Sequence, residues 1–317
     1  MRTKACLIAN PAAGRGRGAR SLRAARSAFA DLVRGDVRQT MGPGDEARLV
    51  RSALADGCTT IAVLGGDGTW SKTAAALVAM RSECRLVPLA AGTGNDFAKS
   101  MGLPADDFVA MAALAAAGVA RAIDVGEIEG RPFLNSVGFG FDVAALEVAA
   151  ATPWLRGDAL YPYAALNLLF RYRGVHTEVL APGDVPDPSP RLRLGLVVAN
   201  APRFGGSFMI APGALPDDGL LDVVSIADAP AGRRVSILRA VSRGTHTGGA
   251  FPEVHAASAT EVSLRFAQPP RYEADGELLR ARATELTVRC RPGALRVVAT
   301  APDVSRVPGA SLRPTAR

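Results

Sequence analysis

The chain has 317 residues, 48% apolar and 21% charged, a globular composition long enough for one large domain or two ordinary ones. Its 37 lysines and arginines exceed its 30 aspartates and glutamates, a net charge of +7 that favours an anionic partner. Aromatic residues make up only 5% and no dense basic patch interleaves with them, so nucleic acid is excluded as a partner.

Residues 4–9 read as a strand, 17–34 as a helix, 37–40 as a short strand and 45–56 as a helix opened by an acidic first turn. A strand at 60–64, a helix at 69–80, a strand at 85–89 and an alanine-rich helix at 108–117 follow. Short apolar runs alternating with helical patterns point to parallel strands joined by crossovers and covered on both faces. From about residue 123 period-two stretches take over, at 131–137, 191–199, 220–226, 261–266, 284–290 and 294–300. Proline- and glycine-rich turns such as A-P-G-D-V-P-D-P-S-P at 181–190 separate most of them, the pattern of an antiparallel β domain. The expected architecture is therefore α/β plus β: residues 1–125, residues 126–300, and a loosely ordered tail at 301–317. The last strand, near 294–300, is expected to pack back on the first domain.

The four cysteines lack paired spacing, which argues against a disulfide framework or a zinc site. His176, His246 and His255 show no metal-ligand spacing and read as surface or interface histidines. The N-terminus has no signal-peptide layout, and the longest uncharged apolar run, 108–120, is too short to span a bilayer, so a cytoplasmic protein is expected. The segment at 153–173 mixes Trp, Tyr, Phe and Leu with arginines, as a helix at a membrane interface or one packed on the β domain would.

Three glycine-rich loops follow strands of the one expected sheet: N-P-A-A-G-R-G-R-G at 10–18, G-G-D-G-T at 65–69 and A-A-G-T-G-N-D-F at 90–97. If those strands are parallel, the loops meet at one sheet edge, where backbone N–H groups and a helix N-terminus can cradle phosphate. Asp67 among such amides makes sense as a partner of Mg²⁺ or of the attacking hydroxyl; the same stretch also reads as a strand-to-helix turn with an aspartate cap. No G-x-x-x-x-G-K-[ST] is present, and the first loop only nearly matches a dinucleotide fingerprint.

The G-G-D-G-T and G-T-G-N-D motifs together resemble the diacylglycerol kinase catalytic family, and in particular its soluble bacterial lipid kinases. The likeness continues in order through N-P-A-A-G at 10–14, F-L-N-S-V-G-F-G-F-D at 133–142, F-G-G-S-F-M-I-A-P-G-A-L-P-D-D-G-L-L-D at 204–222 and D-G-E at 275–277. Ala90 stands where the family has proline.

The resemblance implies an α/β ATP-binding domain, a β-sandwich for the lipid and an active site between them. Asn10, Thr40, Gly65, Gly66, Asp67, Gly68, Thr69, Thr93, Asn95 and Asp96 would then bind ATP, with Asp67 beside the catalytic Mg²⁺ and Asp96 supporting its loop. Glu277 would be the general base, its pKa raised by partial burial, assisted by Asp275. Asp218 and the carbonyls of Leu215 and Leu220 would hold a structural Mg²⁺, an oxygen-only set suited to a hard cation; residues 216–222 also read as a plain solvated turn, and D-G-E as a type I′ hairpin turn. The implied activity is transfer of the ATP γ-phosphoryl group to a lipid hydroxyl, with peripheral membrane contact and a homodimer left open. A soluble-substrate kinase of the NAD kinase type and a non-catalytic lipid- or nucleotide-binding module are the competing readings.

Overall fold

A computed structural model of the chain describes residues 4–152, 163, 167–169, 171–180, 191–206 and 208–299. The interfacial segment expected at 153–173 lies largely outside the described residues, and the turn at 181–190 and the tail lie wholly outside them.

The first half runs β1 (Ala5–Ala9), α1 (Ala13–Ala28), α2 (Ala30–Val33), β2 (Val37–Gln39), α3 (Asp45–Ala55), β3 (Thr60–Gly65), α4 (Asp67–Ala79), β4 (Arg85–Ala90), α5 (Asp96–Ser100), α6 (Phe108–Ala117) and β5 (Ala120–Ile128). β2, β1, β3 and β4 lie side by side and parallel. β1 and β3 are buried at every position, which is why their sequences carry no polar alternation. α1 holds left-handed Gly14, Arg15 and Gly16, so its regular part begins at Arg17, where the sequence pattern starts. The single helix expected over 17–34 is broken at fully buried Phe29, whose φ of −100° leaves the helical region.

The second half contains β6 (Arg131–Phe133), β7 (Ser136–Gly140), α7 (Phe141–Ala150), β8 (Val175–Val179), β9 (Arg191–Ala199), β10 (Leu221–Ala227), α8 (Ala231–Arg243), β11 (Val254–Ala259), β12 (Glu261–Phe266), β13 (Arg271–Ala274), β14 (Glu277–Arg280) and β15 (Glu285–Val298). Its ladders are antiparallel, around a core that includes Val137, Phe139, Leu196, Val198 and Tyr272. A second cluster fills the other face of β9 and β10, against Ile237 and Val241 of α8.

Two sequence expectations need correction. The stretch 131–137 is not one strand: the N–H groups of Leu134, Asn135 and Ser136 turn away to the Asp275 carboxylate, at 2.7, 2.8 and 3.3 Å, and break it into β6 and β7. The stretches 284–290 and 294–300 are one strand, β15, in which Pro292 and Gly293 make a register shift and no turn. β15 pairs antiparallel with β12 at one end and parallel with β4 at the other, while β5 runs beside it across both regions. Leu295, Val297 and Val298 accordingly join the core of the first half.

Buried Asp124 fastens this junction: its two oxygens accept the N–H groups of Gly219 and Gly293, at 2.7 and 2.8 Å. Asp124→Ala would strand both amides, and a loss of about 3 kcal/mol in chemical denaturation is expected, at 1–3 kcal/mol for each orphaned group. A change within 0.5 kcal/mol would show that water replaces the carboxylate.

Candidate active site

Strand β3 delivers Gly65 and Gly66 to the carboxyl edge of the parallel sheet, and β4 delivers Gly92 beside them. The two loops meet without room for a side chain. A Cβ on Gly66 would stand 2.7 Å from the Gly92 Cα, and one on Gly14 of the first loop 2.0 Å from the Ala91 carbonyl oxygen. Side chains then lock the loops. Asn10 donates to the Thr69 hydroxyl at 3.0 Å, Arg17 to the Gly92 carbonyl at 2.8 Å, and the Phe97 N–H to Asp67 Oδ1 at 3.0 Å. Beneath them Trp70, fully buried, donates to the Val63 carbonyl and packs on Phe97. The three glycine loops therefore do share one rim.

Ala90, in the position where the family has proline, donates its N–H to the Ala105 carbonyl at 2.7 Å. Proline has no such hydrogen, so the departure ties the loop down by another route.

Asp67 is the first residue of α4, with Gly66 in the cap position, so the alternative reading of Asp67 as a helix cap does not hold. Asp67 and Asp96 converge beside Gly94, whose Cβ, if present, would lie 3.2 Å from one carboxylate and 3.4 Å from the other. Asp96 Oδ2 accepts the Gly206 N–H at 2.7 Å, while its buried Oδ1 has no hydrogen-bond partner. Burial, and then the Asp67 charge, push the Asp96 carboxyl above its usual range. Two convergent carboxylates, one with an orphaned oxygen, suit a divalent cation.

These residues open onto a cavity of about 880 Å³ between the two halves of the chain. Asp67, Gly68, Thr93 and Asp96 line its polar end. Asn10, Gly65, Gly66, Thr69 and Asn95 shape the loops beneath it, and Thr40 sits on the same edge, its N–H bonded to the Ala9 carbonyl. The far end of the cavity is apolar, walled by Leu194, Val197, Phe208, Ile226, Ile237 and Val241.

The D-G-E stretch closes the mouth. Asp275 and Gly276, at φ 47° and 81°, form the tight turn between β13 and β14, and Glu277 follows on the edge strand β14. Both oxygens of Asp275 accept backbone N–H groups, so this residue holds the turn and the β6–β7 corner together. Burial raises its pKa, and the amides of Leu134 and Asn135 oppose that shift. Glu277 lines the same cavity but is exposed, 3.8 Å from the Arg131 guanidinium. The expected partial burial is therefore not met: an edge strand offers neighbours on one side only.

Leu215 and Asp218 are exposed and Leu220 is half-buried, all on one turn after residue 214. Asp218 Oδ1 accepts the Leu220 N–H at 3.0 Å, and Arg121 pairs with Asp217. Sequence reasoning did not assign Ser71, Asn135, Glu273 and Asp142 on the cavity wall; Asn135 and Asp142 lay within a quoted motif, while Glu273 had no signal. His246 is another correction. It is fully buried against the Ile210 carbonyl, where burial lowers its pKa, and is no surface residue. Cys6, Asp36 and Cys58 form the one close group of three or more His, Cys, Asp or Glu side chains among the described residues, at the opposite sheet edge, and both Asp36 oxygens there are taken by Arg38.

The family described as "Diacylglycerol kinase catalytic domain" matches residues 4–128, and "YegS C-terminal NAD kinase beta sandwich-like domain" matches residues 135–299. The chain belongs to the diacylglycerol kinase catalytic-domain family. It is 35% identical over 283 residues to a "Probable lipid kinase YegS-like" of Pseudomonas savastanoi pv. phaseolicola, covering 86% of this chain and 87% of the relative. A relative of the same name from Pseudomonas aeruginosa PAO1 is 36% identical over 273 residues, covering 82% and 83%. The fold is similar to that of a crystal structure of a diacylglycerol kinase from Bacillus anthracis str. Sterne, with a TM-score of 0.70 at 20% identity over 94% of this chain and 97% of that one. Family membership makes the chain a lipid kinase, with a β-sandwich-like second half. No helix among the described residues is long and apolar enough to cross a membrane.

Proposed function

We propose that the protein transfers the γ-phosphoryl group of ATP to a hydroxyl of a membrane lipid, diacylglycerol-like or sphingoid, with residues 1–125 serving ATP and 126–300 the lipid. One observation carries this reading: a single cavity is lined both by the acidic, glycine-rich rim and by an apolar cluster. A soluble dinucleotide would leave that cluster uncovered, whereas lipid chains would bury it. The Gly68 backbone is open to close approach, and the rim needs only to position the phosphates and the acceptor, since phosphoryl transfer demands little covalent chemistry from protein. Asp67 and Asp96 would hold Mg²⁺, which supplies charge neutralisation of the triphosphate when bound. Glu277, which lines the same cavity as Asp67, would take the proton from the lipid hydroxyl. A substrate resident in a bilayer brings the cavity mouth to a membrane surface, the peripheral contact that a positively charged cytoplasmic protein would favour on anionic lipid.

The test offers γ-labelled ATP and Mg²⁺ together with NAD and with lipid vesicles. Label is expected in the lipid phase; transfer to NAD alone would overturn the reading.

Asp218 with the carbonyl groups of Leu215 and Leu220 would hold the second Mg²⁺. Addition of Mg²⁺ without nucleotide is expected to raise the Tm of the wild type by a few degrees and leave Asp218→Ala unmoved. An equal rise in both would remove the site.

A further inference from the structure

Behind the D-G-E turn lie two acids, Glu273 and Asp142, with no ion-pair partner among the described residues. Glu273, on β13, is 4% exposed; its Oε2 accepts the Gly276 N–H at 2.9 Å and its Oε1 faces the Ser136 hydroxyl at 3.5 Å. Asp142, in the first turn of α7, has both carboxylate oxygens shut off from solvent and without a hydrogen-bond partner. The amides of Asp142 and Val143 face that carboxylate outside regular hydrogen-bond geometry.

Gly138 on β7 lies opposite Glu273 in the ladder and leaves the space both side chains use. A Cβ there would meet Asp142 Oδ2 at 1.5 Å and Glu273 Oε1 at 3.2 Å. Among the described residues, the groups facing the pair are acidic or neutral: Asp275 from the turn, Tyr172 from the segment before β8, and Ser136 from β7. Arg271, on the same strand as Glu273, is taken up by Glu147. Two charged carboxylates in such a place would repel each other at high cost, so one proton must stay with them.

We propose that Asp142 and Glu273 share one proton and together position the 275–277 turn, holding the Gly276 N–H and with it the Glu277 carboxylate at the cavity mouth. Asp275 and Gly276 both occupy left-handed backbone, the conformation of a two-residue type I′ turn, and surrounding bonds hold that turn in place. Glu273 supplies one of those bonds from inside the turn, and Asp275 supplies the others. Loss of the shared proton sets two negative charges side by side, separates the carboxylates and frees the turn.

Burial raises the Asp142 pKa to about 7 and lifts Glu273 well above its ordinary value, first by desolvation and then by the Asp142 charge. The folded-state values lie above the unfolded ones. The pair therefore contributes stability at low pH, and that contribution is lost as pH rises from the ordinary carboxylate range to about 7.

The inference rests on the lipid-kinase reading for its kinetic test, and a substrate-free readout separates the two. Glu273→Ala is expected to lower kcat roughly tenfold to a hundredfold with the KM for ATP within about threefold, and Glu273→Gln, which keeps an acceptor for Gly276, to restore most of it. Asp142→Asn, a neutral isostere of the protonated acid, is expected to move the alkaline limb of the kcat profile up by about one pH unit or more. In thermal melts without substrate, the wild type is expected to lose Tm relative to Asp142→Asn between about pH 5 and 8. Superimposable melting and kcat profiles for wild type and Asp142→Asn, or full kcat in Glu273→Ala, would overturn the proposal. If the wild type phosphorylates no lipid, the kinase reading fails, and the melting profiles still decide the shared proton.

Discussion

Glu277→Gln is expected to lower kcat by roughly a hundredfold to ten-thousandfold while ATP still binds, the range for a lost general base. The substitution keeps the shape of the side chain and removes its ability to take a proton. Glu277 is exposed at the start of an edge strand, and Arg131 is its ion-pair partner. Folding therefore has little stake in it, and a fall in rate reports chemistry. Binding is read by titration with ATP and turnover by transfer of label to lipid. Turnover within threefold of the wild type would place the base elsewhere.

Asp67→Asn is expected to abolish measurable transfer, a loss of at least roughly a thousandfold, with the cooperative melt retained. The Asn side chain keeps an oxygen for the Phe97 N–H that Asp67 Oδ1 now accepts, so the contact between the two loops survives. What is lost is a negative charge beside Asp96, and with it the carboxylate pair suited to a cation. Asp96 should respond as well: with its neighbour neutral, its carboxyl loses one of the two influences that raise its pKa, burial remaining the larger. A collapsed melt in this variant would favour a purely structural turn.

The parallel core was open to sequence reading because its strands are buried on both faces and its loops carry the backbone chemistry that phosphate needs. Gly65, Gly66 and Gly92 are small because two loops touch there, and that constraint is written in the residue types. The second half was harder to read. Period two reveals strands, yet it missed α7 and α8, whose apolar faces close the chamber. It also split β15 at Pro292, where a proline signals a turn to a sequence reader while the ladder with β5 simply shifts register. Glu273 carried no signal, and Asp142, though it ends a quoted motif, carried none of its role. Each is a single acid within a strand or helix pattern, and their meaning comes from a contact across 131 positions of chain. The burial expected for Glu277 failed for the opposite reason: the motif shows which residue follows the turn, and the position of β14 at the sheet edge decides how much of it water reaches.

The most direct test of the central claim incubates the protein with γ-labelled ATP, Mg²⁺ and vesicles of a total lipid extract, then identifies the labelled product. A lipid phosphate monoester, formed by the wild type and missing with Asp67→Asn, is the predicted result. No labelled lipid from a folded, ATP-binding wild type would contradict the account.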